Sequence, residues 1–271
     1  MITVIATLAK REWIRFFRQP HRVVGSVAQP LLFWIFLGFG FSASFKAPGM
    51  EGVSYLEYFY PGILLMVVLF SGIFSTITII EDRSKGLLQS VLVAPVSRMA
   101  IVLGKVAGSM GIGLAQAFLM LLAIPFLGLS LDGVGWLLLT LGLILSSLGF
   151  TALGFVIAWN MDSTAGFHAI MSVFLLPLWM LSGALFPMGH LPGWLSGLIL
   201  VNPVSHALQL IRLPFYYPGS QLLGMTDYRM ACVVAVAWAG LCLFLALWKV
   251  SRMESGVLRS VGTDLVTVDR S

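Results

Sequence analysis

The charges of this chain fall in clusters, and the neutral stretches between the clusters constrain its fold more than any other feature. Residues 23–45, 58–80, 106–131, 133–161 and 230–248 contain no Asp, Glu, Lys or Arg. Residues 163–211 carry only His168, His190 and His206 as titratable groups. A helix needs ~20 predominantly apolar residues to cross the hydrocarbon core of a bilayer. Each of the first five stretches therefore holds one span, and the sixth holds one span plus an apolar remainder. The expectation is six transmembrane helices, near Val23–Ser44, Tyr60–Ile80, Val106–Leu129, Val134–Trp159, Phe167–Phe186 and Met230–Trp248. A membrane β-barrel would need ~10-residue segments of alternating polarity, and runs such as Leu137–Leu145 do not alternate.

Composition agrees. Hydrophobic residues make up 59% and charged residues 10% of the 271, against roughly 25% charged in a soluble domain. A soluble enzyme is all but excluded, and two cysteines cannot frame a disulfide scaffold. The net charge of +5 would suggest nucleic acid for a soluble chain, but here its placement matters more than its size. Lys10, Arg11, Arg15, Arg18 and Arg22 precede the first span. Arg83, Lys85, Arg98 and Lys105 lie between the second and third, and Lys249, Arg252, Arg259 and Arg270 follow the sixth. With six spans these regions share one side, together with the short Asn160–Gly166 turn. Lys46, Arg212 and Arg229 stay on the other. Basic residues accumulate on the cytoplasmic side of spanning segments, so both termini are expected in the cytoplasm and no nucleic-acid partner is expected. The chain reads as one domain: residues 1–22, a six-span bundle over 23–248, and a tail over 249–271.

The N-terminus lacks the apolar core and cleavage site of a signal peptide. On a helical wheel Ile2, Ile5, Ala6, Ala9, Trp13, Phe16 and Phe17 share a sector, and Lys10, Arg11, Arg15 and Arg18 lie opposite, with Glu12 out of place. This is the pattern of a helix lying in the membrane interface with its basic face on anionic lipid; a plain basic flank that only sets topology is the alternative. Gln19-Pro20 breaks that helix before the first span.

Two connections are longer than a link requires. The first runs from Glu81 to Arg98 and reads as a short amphipathic helix with Leu87, Leu88, Val91 and Leu92 on one face, stopped before Pro95. Such a face either docks on a partner or packs on the bundle itself. The second follows the fifth span, with Pro187, Gly189, Pro192 and Gly193, then Trp194–Val201, Asn202-Pro203, and Val204–Leu213 with Arg212 near its end. These apolar pieces are too short to span, so they read as re-entrant or interfacial segments on the outer side, serving as a gate or as an inert lid.

These residues resemble the permease subunits of ABC-2 type transporters, the membrane half of type II ATP-binding-cassette exporters. One matching stretch is Glu81-Asp82-Arg83 through Gly86-Leu87-Leu88, Ala94-Pro95-Val96-Ser97-Arg98 and Gly104-Lys105. The other is Leu176-Pro177-Leu178-Trp179-Met180-Leu181-Ser182-Gly183-Ala184-Leu185-Phe186-Pro187, then Leu191-Pro192-Gly193-Trp194-Leu195, Asn202-Pro203 and Arg212. Where the family commonly has Thr after the coupling-loop glycine, Leu87 stands here. The resemblance implies that the first connection is a coupling helix, formed by Glu81, Arg83, Lys85, Gly86, Leu87, Leu88, Val91, Leu92 and Pro95, seated on a separate cytoplasmic ATPase. It also implies that two permeases, two copies or a copy and a paralogue, form the pathway, and that ATP and Mg are held by the partner. Independently, Gly104-Lys105 is followed by Val106 and preceded five positions earlier by Met99, so it is not a G-x-x-x-x-G-K-[ST] phosphate loop.

Little other chemistry is encoded. Cys232 and Cys242 lie roughly 15 Å apart along one helix, too far to bridge, and read as packing residues. The histidines show no metal-ligand spacing, and His168 is expected near the membrane interface. Pro177 is positioned to kink the fifth span, as hinge or as packing device. Thr76, Thr78, Ser146 and Ser147 suit interhelical hydrogen bonds more than a pathway lining. An intramembrane enzyme would need paired catalytic groups at one depth, yet no carboxylate pair lies within a span and Ser182 has no histidine at its level. An ATP-independent secondary transporter would carry charges inside its spans, and the neutral stretches hold none.

Overall fold

The computed structural model describes residues 1–42, 52–87, 96–186 and 192–268, with side chains through Arg252. The chain opens with α1 (Ile2–Phe17) and α2 (Pro20–Ser42), then α3 (Tyr55–Ser75) and α4 (Thr78–Ser84). After α5 (Arg98–Leu121) come α6 (Gly133–Trp159) and α7 (Thr164–Trp179), the latter running into a π turn over Met180–Ala184. Two short helices follow, α8 (Gly193–Val201) and α9 (Pro203–Tyr216), then α10 (Gly219–Leu222) and the long α11 (Thr226–Val268). No strand occurs among the described residues. Among the described residues six segments are long and apolar enough to cross a membrane: α2, α3 with α4, α5, α6, α7 with its π turn, and the Thr226–Arg252 part of α11, with the bent α8–α9 pair a seventh only if it is counted as one span.

The hub is α3. Its Phe59, Tyr60, Ile63, Leu64 and Val68 are fully buried, with α2, α5, α6 and α9 packed around it. Helix α3 carries Pro61 in its interior. A proline has no N–H to give the carbonyl four residues back, which here is Glu57. That oxygen accepts from the Tyr216 hydroxyl at 3.2 Å instead, so a neighbouring helix satisfies the group that proline frees. The peripheral helices differ. On α2 Phe36 and Phe39, and on α7 Val173 and Phe174, are each at least 60% exposed, as suits surfaces whose solvent is hydrocarbon.

Two spans depart most from the limits that the sequence suggests. Helix α5 begins at Arg98, eight residues ahead of Val106, because Ser97 caps it by accepting from the Ala100 N–H at 3.3 Å and because Lys105 is neutralised by partners described below. It ends at Leu121 because Pro125 sits in a 3₁₀ turn over Ile124–Leu127, closed by Gly128 at φ 67°. The last helix continues past Trp248 through Lys249 and Arg252 to Val268. The break expected at Gln19-Pro20 is present, with Pro20 opening α2.

The helices alternate in direction, so the two ends of the bundle are chemically distinct. The far end holds the start of α3, the end of α7, and the α8–α9 pair, which bends by 81° at Asn202. Asn202 caps α9 by accepting from the Val204 N–H at 3.0 Å, and its amide donates to the Leu178 carbonyl at 2.8 Å. The π turn beside it contains Gly183 at φ 85°, a left-handed conformation that glycine adopts without a side-chain penalty. Regular helical bonding fails there, and side chains take over its carbonyls. Tyr58 donates to Gly183 O at 3.1 Å and Tyr55 to Leu185 O at 3.2 Å. Arg212 donates to Gly183 O at 3.0 Å and Ala184 O at 3.4 Å, with its guanidinium 4.4 Å above the Tyr58 ring. Irregular backbone at membrane depth is tolerated where protein satisfies it in this way.

Candidate functional site

The opposite, basic end concentrates the charged chemistry. Helix α1 lies on α5, and close approach is possible because Gly104 and Gly108 face it: a Cβ on Gly108 would sit 2.9 Å from Glu12 Cβ and 3.0 Å from Ala9 Cα. Leu8, Glu12 and Phe16, spaced four apart, form the buried stripe of α1. Glu12, which broke the wheel pattern, is therefore an inward-facing residue. It is 2% exposed and accepts from Lys105 Nζ at 2.6 Å.

Lys105, itself 4% exposed, also donates to Asp82, which is 1% exposed. Asp82 in turn accepts from Arg11 at 2.7 Å and from Arg15 at 2.9 Å. Arg15 completes a fork with its second nitrogen on Glu81. Three cations and three carboxylates from α1, α4 and α5 thus form one network, buried at Glu12, Asp82 and Lys105 and half-buried at Arg11, Arg15 and Glu81, in which each charge has at least one opposite partner. Burial of such charges is tolerated only with this degree of pairing.

Arg83, next along α4, turns the other way. It donates to the Trp159 carbonyl at 2.6 Å, to the Met161 carbonyl at 3.2 Å and to Asp162 at 2.9 Å. A cation on the open carbonyls of a helix C-terminus is favourable, so Arg83 ties α4 to the end of α6. Lys249 of α11 joins the same corner through Asn160 Oδ1 at 2.6 Å.

The expected coupling residues divide accordingly. Glu81 and Arg83 are engaged within the chain, Lys85 and Leu87 are exposed beyond α4, and Gly86 has φ 73°. Leu88, Val91, Leu92 and Pro95 lie outside the described residues. On α1, Lys10 and Arg18 are exposed, whereas Arg11 and Arg15 turn inwards instead of joining a lipid-facing basic surface. Trp13 packs over Gly111 and Phe16 is buried. At the far end Pro192 caps α8, Trp194 is 70% exposed, and Asn202, Pro203 and Arg212 occupy the positions given above. Pro187 lies outside the described residues. Glu12, Asp82 and Lys105 stand in the sequence patterns without a role of their own. The available signal was a lone acid in a basic amphipathic helix and a lone lysine between glycines and apolar residues.

A six-span helical bundle with charge gathered at one end is a polytopic membrane protein. The chain belongs to the ABC-2 type transporter family, whose model matches residues 3–216. It is 32% identical over 225 residues to the putative transport permease ycf38 of Cyanophora paradoxa, covering 82% of this chain and 77% of that one. Nodulation protein J of Sinorhizobium fredii is 27% identical over 195 residues, 70% of this chain and 72% of its own. The inner membrane transport permease YadH of Escherichia coli K12 is 23% identical over 224 residues, 82% and 84% of the two chains. The protein is thus an integral membrane transport permease, a transport subunit in place of an enzyme.

Proposed function

We propose that the chain is the membrane half of an exporter, working as a pair of permeases driven by a separate cytoplasmic ATPase that holds ATP and Mg. In this reading the basic end and both termini face the cytoplasm, and the membrane is the plasma membrane, the inner one in a bacterium. The observation that carries it is the anchoring of the Lys85–Ser97 connection. Its root on α4 is tied to α1 and α6 through Asp82, Glu81 and Arg83, and its root on α5 is tied to α1 through Lys105. A displacement of this connection by a partner would be passed at once to four helices.

Charge supports the partner's chemistry. Lys10, Arg18 and Lys85 stand around a cavity of about 660 Å³ between α1 and the start of the connection, and they form no ion pair among the described residues. Their complement is an acidic surface. The α8–α9 pair, on the opposite side of the membrane, would close the exit of the pathway and open when the spans separate.

Reconstituted vesicles carrying permease and ATPase test this reading. Leu88→Asp is expected to abolish co-purification of the ATPase and ATP-driven transport while membrane insertion persists, since truncating a central apolar contact costs ~2 kcal/mol or more at a hot spot. Full transport by that variant would remove the connection as docking site. A cysteine at the exposed Ser196, with Cys232 and Cys242 replaced, should react with an impermeant thiol reagent on the side away from the ATPase, at a rate that changes during ATP turnover. Reaction only on the ATPase side would overturn the orientation.

One observation favours an ion-gradient-driven transporter: Lys105 and Asp82 lie within membrane-length helices. Their mutual pairing at one end of the bundle argues for a brace over a site that binds and releases protons. Transport needing an imposed proton gradient but no second protein would reverse this.

A further inference from the structure

Between the start of α2, the end of α3 and α7, a cleft of about 610 Å³ opens on the side of the bundle. Its polar lining includes Arg22, His21 and His168, with Gln19, Ser71 and Ser172. Arg22 donates to the Phe74 carbonyl at 3.1 Å and makes no ion pair among the described residues. Glu81 also lines the cleft, but its carboxylate is engaged by Arg15. The His168 ring stacks on Phe74 with centroids 5.0 Å apart, which fixes its plane, and its nitrogens make no hydrogen bond among the described residues. The cleft therefore offers a guanidinium with nitrogens to spare and an imidazole with an N–H to give, and its one carboxylate, Glu81, is held at one oxygen by Arg15. A planar guanidinium fork matches phosphate oxygens better than any other side chain does.

The cleft does not end at its polar lining. Gly25 and Gln29 border both it and a groove of about 570 Å³ that runs along α2 past Leu32, Phe33, Phe36 and Leu37. From Arg22 to Phe36 is roughly 21 Å of helix, enough to traverse one leaflet of a hydrocarbon core ~30 Å thick. A cationic pocket at the end of the bundle, continuous with an apolar trough one leaflet deep, has the shape of an amphiphile. At the junction a Cβ on Gly25 would meet nothing within 4 Å, so the joint is open space and not protein packing.

We propose that this cleft is a binding site for an anionic phospholipid of the surrounding leaflet, its phosphate held between Arg22 and His168 and one acyl chain laid along the α2 groove. The bilayer supplies such lipids at the level of Arg22, and the lateral opening lets them enter without crossing the protein. The site is independent of whether the chain moves cargo.

Native mass spectrometry of the full chain, purified in detergent with equimolar phosphatidylglycerol and phosphatidylcholine, tests it. The wild type should retain one phosphatidylglycerol in preference to phosphatidylcholine. Arg22→Gln should lower that retention about tenfold, equivalent to about 1.4 kcal/mol, and Gly25→Leu, which fills the junction without touching the charge, should do the same. Arg229→Gln, exposed at the start of α11, should leave it unchanged, and millimolar inorganic phosphate should not displace the lipid. Equal retention in all variants, or of both lipids, would overturn the site. Displacement by inorganic phosphate would reduce it to a bare anion pocket. Loss of self-association by Gly25→Leu with lipid retention intact would assign the groove to a second copy of the chain.

Discussion

The two ends of the bundle solve the same problem, holding helices together where regular packing runs out, with different chemistry. At the basic end, side chains pair with side chains: Lys105 with Glu12 and Asp82, and Arg11 and Arg15 with Asp82 and Glu81. At the far end, side chains donate to backbone: Tyr55, Tyr58, Arg212, Asn202 and Tyr216 all supply carbonyls that a π turn, a chain reversal or a proline has left open. The first arrangement fails when one partner is removed, because the remaining charge is left buried. The second fails by degrees, because each carbonyl oxygen can find another donor or water. The basic end is therefore an all-or-none joint and the far end a graded one.

Three substitutions probe that contrast, read as the thermal unfolding midpoint of the purified chain in detergent. Lys105→Met orphans Glu12 and is expected to cost about 3–5 kcal/mol, the usual penalty for breaking a buried pair from one side. Adding Glu12→Met to it should restore most of the loss, because replacing both partners by apolar groups is often near neutral. If the double variant is as unstable as the single one, the joint is not held by charge balance. Arg212→Met should cost about 1.5–3 kcal/mol, the worth of hydrogen bonds to a charged group, since Tyr58 still serves Gly183. A larger drop than that of Lys105→Met would invert the comparison. Tyr216→Phe should be the mildest, at about 0.6 kcal/mol, typical of a single interhelical hydrogen bond in a membrane protein. An effect above that of Arg212→Met would show that the Pro61 carbonyl gap, and not the π turn, is the weak point of the far end.

The sequence was most legible where composition alone decides. Neutral stretches located all six spans, and Gln19-Pro20 and Asn202-Pro203 mark real breaks because the missing proline N–H acts locally. The limits of α5 are not legible locally, because an unmatched charge ordinarily ends a span. Lys105 shows that a charge matched by two carboxylates from distant helices can sit inside one. Nothing in the local sequence announces that match, since Glu12 lies 93 positions away and Asp82 lies 23 away. The inward turn of Arg11 and Arg15 is hidden for the same reason: a wheel diagram shows which residues share a side, not what stands opposite. The π turn at Met180–Ala184 has no composition of its own. Its signature is the set of donors on α3 and α9, which only the tertiary arrangement reveals.

The long reach of the Glu12–Lys105 pair also sets an order of events during synthesis. A ribosome adds about 5–20 residues per second, so Glu12 waits roughly 5–20 s for a lysine made 93 positions later. Asp82 is made in between and can recruit Arg11 and Arg15 first. Until the third span has emerged, α1 has no permanent seat, because the glycine ridge that receives it belongs to that same span. The first helix of the chain is thus among the last of its neighbours to be locked. A nascent protein halted before Lys105 would carry an unburied acid at its N-terminus, a mark by which an unfinished copy differs from a finished one.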